Sequence, residues 1–325
     1  MADAGRRRDA DRDGYRDGHP AARHGLSGAM TLDRDRLWRL LGRSPATRAP
    51  QRVILGHVRR ADRIEERGTL RPAGIDIPYV MIRPHGDGRH PAVLYCHAHG
   101  NRYTLGAEEL CEGRPSLHAP YGPALARHGI ASLAIDLAPF GARQAEGPES
   151  ALAKAAHWNG ACLMGDMLAE LSAALMALAT DPAIDGSRIA TLGFSMGATH
   201  AYWMAALHPE ICATAHLCAF ADIAPLIETG AHDLHGPYMT VPGLLAEGDM
   251  GDVAALIAPR PQLICSGALD PLTPEIALGP ALDRVREAYG GATSLQIHID
   301  RETGHWETPE MRQTVLDFLQ QSLFA

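Results

Sequence analysis

Arg188-Ile189-Ala190-Thr191-Leu192, running into Gly193-Phe194-Ser195-Met196-Gly197, is the stretch that decides the fold. Residues 188–192 form a short run with the look of a strand, and a helical pattern extends from Met196 to Leu207. A strand that passes straight into a helix needs small residues on both sides of the turn, which Gly193 and Gly197 supply. Ser195 between them is then strained, its hydroxyl held out at the C-terminal edge of a sheet. The helix N-terminus beneath it favours developing negative charge. Composition alone yields the bare G-x-S-x-G string about 0.1 times per chain of this make-up, so the strand–turn–helix context carries the reading. An ordinary turn with an N-capping serine is the alternative.

A serine hydroxyl is a poor nucleophile without a base to take its proton and a carboxylate to orient that base. On a sheet of this kind the acid follows the serine in the chain and the histidine comes last. After a predicted strand at Gln262–Cys265 comes Ser266-Gly267-Ala268-Leu269-Asp270-Pro271, which puts Asp270 in a loop at the strand's C-terminal end. After a strand at Ser294–Ile299 comes Thr303-Gly304-His305-Trp306, with His305 where the base belongs. An Asx-turn or helix cap is the plainer role for Asp270, and a surface histidine for His305. Asp249, Asp252, His232, His235 and His298 are competing groups.

Working outward, strands are predicted at Ile75–Ile82, Ala92–Cys96, Ile130–Ile135 and Ala213–Ala219. Helices are predicted at 33–42, Tyr121–His128, within Ala151–Thr180, and at Glu275–Tyr289 and Pro309–Leu323. Such alternation implies an α/β domain, a mainly parallel central sheet flanked by helices on both faces. Residues 1–35 alternate Arg and Asp with almost no large apolar residue and read as a disordered tail, leaving one domain over 36–325. The Gly/Pro/His-rich interval 221–251 is long for a connection and reads as a lid insertion.

Acyl transfer builds negative charge on the former carbonyl oxygen, and backbone N–H groups usually meet it. One donor is Met196, the residue after the nucleophile. The second is assigned to His99, with Ala98 as neighbour, in His97-Ala98-His99-Gly100-Asn101 after the Ala92–Cys96 strand. His97 and His99 form an H-x-H pair, but a catalytic zinc needs about three protein ligands and no third lies at recognisable spacing, so no metal and no cofactor is assigned. Tyr103, Phe140, Trp158, Tyr238 and Trp306 fall in segments expected near the catalytic edge and are the substrate-pocket candidates. Arg143 is read either as a partner for a carboxylate substrate or as a structural ion pair with Asp136 or Asp166.

The 325 residues carry a net charge of −8 and only 5% aromatics, which argues against a nucleic-acid binder. No run approaches the roughly 18 unbroken apolar residues of a membrane helix. Six cysteines without a C-x-x-C pair, in a chain with 46% apolar residues to build a core, read as reduced thiols of a cytoplasmic protein. Helix faces at the domain's edge leave room for a homodimer.

The chain resembles the α/β-hydrolase superfamily, and more narrowly the dienelactone hydrolase and acetyl xylan esterase-like branch. The resemblance spans roughly residues 70–325. It rests on 97–101, Asp136-Leu137-Ala138-Pro139-Phe140-Gly141-Ala142-Arg143, 185–189 and 193–197, then on Val241-Pro242-Gly243, 256–261, Asp270-Pro271 and Gly304-His305. It implies a serine hydrolase acting on small-molecule carboxylic esters, often acetyl esters, with Ser195, Asp270 and His305 as the triad and no cofactor. Dienelactone hydrolases proper use a cysteine nucleophile, so lactone opening is less favoured here. Some relatives cleave carbon–carbon bonds of ketones with the same triad, and a catalytically inactive binding protein is the third alternative.

Overall fold

The computed structural model describes residues 32–325. Most of the expected tail lies outside them. Its last four positions do not behave as a tail: Leu32 is buried, and Asp33 caps the first helix by accepting from the Arg36 N–H at 2.8 Å. The strands are β1 (Gln51–Arg59), β2 (Arg63–Arg71), β3 (Ile77–Pro84), β4 (His90–Cys96), β5 (Ala131–Ile135), β6 (Ile184–Phe194), β7 (Ala213–Leu217), β8 (Gln262–Gly267) and β9 (Leu295–Asp300). The helices are α1 (Arg34–Leu41), α2 (Glu109–Glu112), α3 (Tyr121–Arg127), α4 (Glu149–Trp158), α5 (Leu163–Ala179), α6 (Met196–Leu207), α7 (Ile223–Thr229), α8 (Met250–Ala255), α9 (Glu275–Tyr289) and α10 (Pro309–Phe324).

One nine-stranded sheet runs in the order β1-β2-β3-β5-β4-β6-β7-β8-β9. The six strands from β5 to β9 in that order are mutually parallel, and β1, β2 and β3 extend it antiparallel. Alternate residues of each central strand feed opposite faces. On β4, Ala92, Leu94 and Cys96 join the core formed with α1, α5, α6, α8 and α9, while Val93 and Tyr95 join the one formed with α3 and α10. This is the predicted class, a mainly parallel sheet covered on both sides.

Three details go beyond the expectations. The long helix expected within 151–180 is α5, and a second helix, α4, precedes it and meets it at 95°. Asn159 ends α4, Gly160 takes φ +73°, and Cys162 is extended before α5 restarts. Gly165 lets α5 lie against the Leu41 carbonyl at the end of α1, an approach a Cβ would block. Among the described residues no single helix is long and apolar enough to cross a membrane. The interval 221–251 holds α7, three short 3-10 turns and the start of α8. Finally, β1 and β2 were not anticipated. All six cysteines are free thiols.

The turn from β6 to α6 is the tightest place in the sheet. A Cβ at Gly193 would overlap the Gly197 carbonyl, and one at Gly197 would overlap the Cys96 carbonyl oxygen. The obstacles are backbone, which cannot swing away. Gly197→Ala is therefore expected to destabilise by about 3 kcal/mol or more, although alanine is the better helix former. Urea denaturation of Gly197→Ala against the wild type checks the loss.

Candidate active site

Four loops at the C-terminal ends of neighbouring strands converge. Ser195 follows β6 directly, as the N-terminal residue before α6, with φ +55° and ψ −126°. A non-glycine residue with that φ is strained, and the strain is held by the Ser195 N–H donating to the Leu217 carbonyl at 2.9 Å. The side chain does not cap α6. Its Oγ lies 2.9 Å from His305 Nε2 instead.

His305 follows β9, and its Nδ1 lies 2.7 Å from Asp270 Oδ2. Asp270, after β8, is only 2% exposed and uses Oδ1 to accept from the Leu272 N–H at 2.9 Å. The acid and histidine loops are stitched together where the Leu269 N–H donates to the Thr303 carbonyl at 3.0 Å. Gly267 permits this packing, since a Cβ there would meet the Gly304 and Thr303 carbonyls. Three side chains remote in sequence thus form one hydrogen-bonded series. The competing groups are engaged elsewhere. Asp249 and Asp252 form a capping box on α8, and Asp249 also accepts from Ile223 and Ala224 N–H. His232 and His235 bond the Leu226 and Leu272 carbonyls, and His298 lies on β9.

Beside the series, Met196 is the first residue of α6, so its N–H has no intrahelical acceptor, and none is found elsewhere among the described residues. In the loop after β4, the Ala98 N–H is taken by the Glu109 carboxylate, at 3.1 and 3.3 Å to its two oxygens. The His99 N–H has no acceptor among the described residues, which separates it from its neighbour as the available donor. The loop is braced from outside by a buried pair that sequence reading missed. Arg114 Nε bonds Glu109 at 2.6 Å and Arg114 NH2 reaches the Ala98 and His99 carbonyls at 3.2 and 3.4 Å. Burial pushes the Glu109 carboxyl above its ordinary range, against the opposing pull of Arg114 and Tyr95.

The rings of His97 and His99 are occupied by protein partners. His97 bonds the Ala98 carbonyl and the Leu137 N–H, and burial lowers its pKa to about 4. His99 Nδ1 accepts from the Asn101 N–H at 3.0 Å, and its Nε2 meets Glu149 Oε2 at 2.6 Å. Glu149 also accepts from the Tyr103 hydroxyl at 2.9 Å and the Tyr238 N–H at 3.0 Å. Burial alone would raise its pKa. Its bonds to His99, Tyr103 and Tyr238 outweigh burial and hold it below the usual carboxylate range.

The pocket candidates separate. Tyr103 lines a cavity of about 440 Å³ with Gln144, Pro148, Glu149, Ser150 and Pro237. Phe140 is fully buried, stacked on Tyr103 at 5.0 Å, and Tyr238 is buried 5.8 Å from the His99 ring. Trp306, beside His305, is 52% exposed. Trp158 is 91% exposed on the last turn of α4, about 14 Å along the helix from Glu149, and lines neither this cavity nor its neighbour. Arg143 is buried in ion pairs with Glu146 and Glu170 and also bonds the Asp136 carbonyl, so its role is structural, with partners other than those expected. A second cavity of about 530 Å³ lies within the 221–251 interval and shares Pro237 with the first.

No protein-family model matches the chain. A curated relative, "Putative hydrolase YtaP" of Bacillus subtilis (strain 168), is 33% identical over 295 residues, covering 89% of this chain and 98% of that one. Among solved structures, acetyl xylan esterase 1 from Thermoanaerobacterium sp. superposes with a TM-score of 0.66 at 15% identity, over 91% of this chain and 95% of that one. A glucuronoyl esterase from Solibacter usitatus gives 0.65 at 13% identity, over 90% and 92%. The acetyl xylan esterase from Paenibacillus sp. R4 gives 0.62 at 18% identity, over 89% and 93%. These structures share the fold, and the Bacillus protein shares a third of its residues along nearly its whole length. The chain has the α/β-hydrolase fold and belongs to the family of that Bacillus hydrolase.

Proposed function

We propose that the protein is a serine hydrolase of small carboxylic esters. The observation that carries this reading is the unbroken Ser195–His305–Asp270 series, at 2.9 and 2.7 Å, together with the N–H groups of Met196 and His99, which have no acceptor among the described residues. In this reading Ser195 Oγ attacks the ester carbonyl carbon as its proton passes to His305 Nε2. The imidazolium is stabilised by Asp270, and the N–H groups of Met196 and His99 receive the oxyanion. Collapse breaks the C–O bond, and His305 returns the proton to the leaving alkoxide. Water then attacks the acyl-serine with His305 again as base, releasing the acid and restoring Ser195. The structural neighbours include acetyl xylan and glucuronoyl esterases, in agreement with an ester as substrate.

The test is a panel of p-nitrophenyl esters from acetate to decanoate, with one β-diketone added, alongside labelling by a fluorophosphonate mapped by peptide mass. Turnover falling with acyl length and a label on Ser195 are expected. Diketone cleavage without ester turnover would move the assignment to carbon–carbon hydrolysis, and tight ligand binding with neither activity would leave a binding protein.

A further inference from the structure

Glu149 is the buried group that the reaction just described leaves unused. It is 4% exposed, begins α4, and joins three segments far apart in the chain. Oε2 accepts from His99 Nε2 and the Tyr103 hydroxyl, and Oε1 accepts from the Tyr238 N–H. The direction of the His99 bond is fixed locally. Nδ1 takes the Asn101 N–H, so the ring proton sits on Nε2 and is donated to the carboxylate. Gly236 passes so close that a Cβ there would meet Glu149 Oε1 at 2.8 Å and His99 Nε2 at 3.2 Å. The loop holding His99 reverses immediately afterwards through two left-handed residues, Gly100 at φ +51° and Asn101 at φ +54°. A loop bent in this way needs holding on both sides. On one side Arg114 holds the Ala98 and His99 carbonyls and Glu109 accepts from the Ala98 N–H, and the imidazole is the handle on the other.

We propose that Glu149 is a positioning residue for the oxyanion donor: by gripping the His99 imidazole it holds the His99 backbone N–H where the ester oxygen becomes negative. The proposal rests on the ester-hydrolase reading. A donor that has drifted loses transition-state stabilisation while the ground state is bound much as before, so the loss belongs in kcat.

The experiment measures p-nitrophenyl acetate turnover in Glu149→Ala, Glu149→Gln, His99→Ala and the double variant His99→Ala/Glu149→Ala. Losing an oxyanion donor outright costs about 10²–10³ in kcat, so Glu149→Ala should lose about 100-fold with KM within about threefold. Glutamine keeps the shape, but whichever way the amide turns, its NH2 faces an existing donor. Glu149→Gln should therefore lose about 10-fold, and it remains informative if the alanine variant fails to fold. Because the carboxylate acts through the imidazole, the double variant should be no slower than His99→Ala alone. Inhibition by a trifluoromethyl ketone, whose serine adduct carries an oxyanion, should weaken by the same factor as kcat. Unchanged kcat, a loss confined to KM, or losses that multiply in the double variant would each overturn the proposal. Wild-type turnover that survives Ser195→Ala would instead remove the serine-hydrolase reading on which it stands.

Discussion

Ser195→Ala is expected to lower kcat for p-nitrophenyl acetate by about 10⁶, following the behaviour of Ser–His–Asp hydrolases in which the nucleophile is removed. The number is large because the alternative route, direct attack by water, keeps only the oxyanion donors and binding, worth about 10³–10⁴ over the uncatalysed reaction. Nothing else in the fold depends on the hydroxyl. Among the described residues Ser195 Oγ caps no helix and hydrogen-bonds only His305, while the bond from the Ser195 N–H to the Leu217 carbonyl survives the substitution. Stability should change by no more than about 1 kcal/mol, so lost activity cannot be put down to unfolding. Fluorophosphonate labelling should vanish with turnover. Retention of more than a tenth of wild-type activity in a folded variant would rule out Ser195 as the nucleophile.

What could be read from the sequence follows from how local its cause is. α6 and α9 begin and end where apolar spacing and turn residues place them, at Met196–Leu207 and Glu275–Tyr289. Ser195, Asp270 and His305 could be picked out for a related reason: the first two stand just past the buried strands β6 and β8, and His305 just past the half-buried β9, where this topology gathers loops. β2 was hidden because its pattern is charge, not apolar alternation, and β1 because its apolar run Val53-Ile54-Leu55 does not alternate and is cut by Gly56. Glu65 and Glu66, adjacent on β2, are both buried, and arginines distributed over β1, β2 and β3 neutralise them. The break between α4 and α5 is masked by alanine-rich sequence on both sides of Asn159-Gly160. Glu109 and Glu149 carried no signal at all. Single glutamates near short helices look like surface residues until the fold brings Ala98, His99, Tyr103 and Tyr238 to them. Glu149 lies 50 residues from His99 in the chain, and Glu109 and Arg114 reach back 11 and 16 residues to Ala98, so neither brace follows from local periodicity.

The same loop geometry makes Asp270→Asn the second large effect, about 10⁴ in kcat, the magnitude known when an equivalent substitution leaves geometry intact and reverses the imidazole. The direction of the amide is dictated here. Asp270 Oδ1 accepts from the Leu272 N–H at 2.9 Å, and Oδ2 faces His305 Nδ1 at 2.7 Å. An asparagine in this 2%-exposed position must keep its oxygen toward Leu272, because the opposite orientation would set its NH2 against a backbone donor with no water to relieve it. The NH2 then donates to His305 Nδ1, which can accept only if the ring proton moves to Nε2. That nitrogen now points a proton at Ser195 Oγ, 2.9 Å away, and has no lone pair with which to take the serine's own. Fold and substrate affinity should survive, so KM should stay within about threefold while kcat falls. Asp270→Glu fails differently: the longer side chain overfills the site and displaces His305, and it should lower thermal stability as well. Steady-state kinetics with melting curves on both variants separates the two. An Asp270→Asn enzyme retaining a tenth of wild-type kcat would mean that another group orients His305.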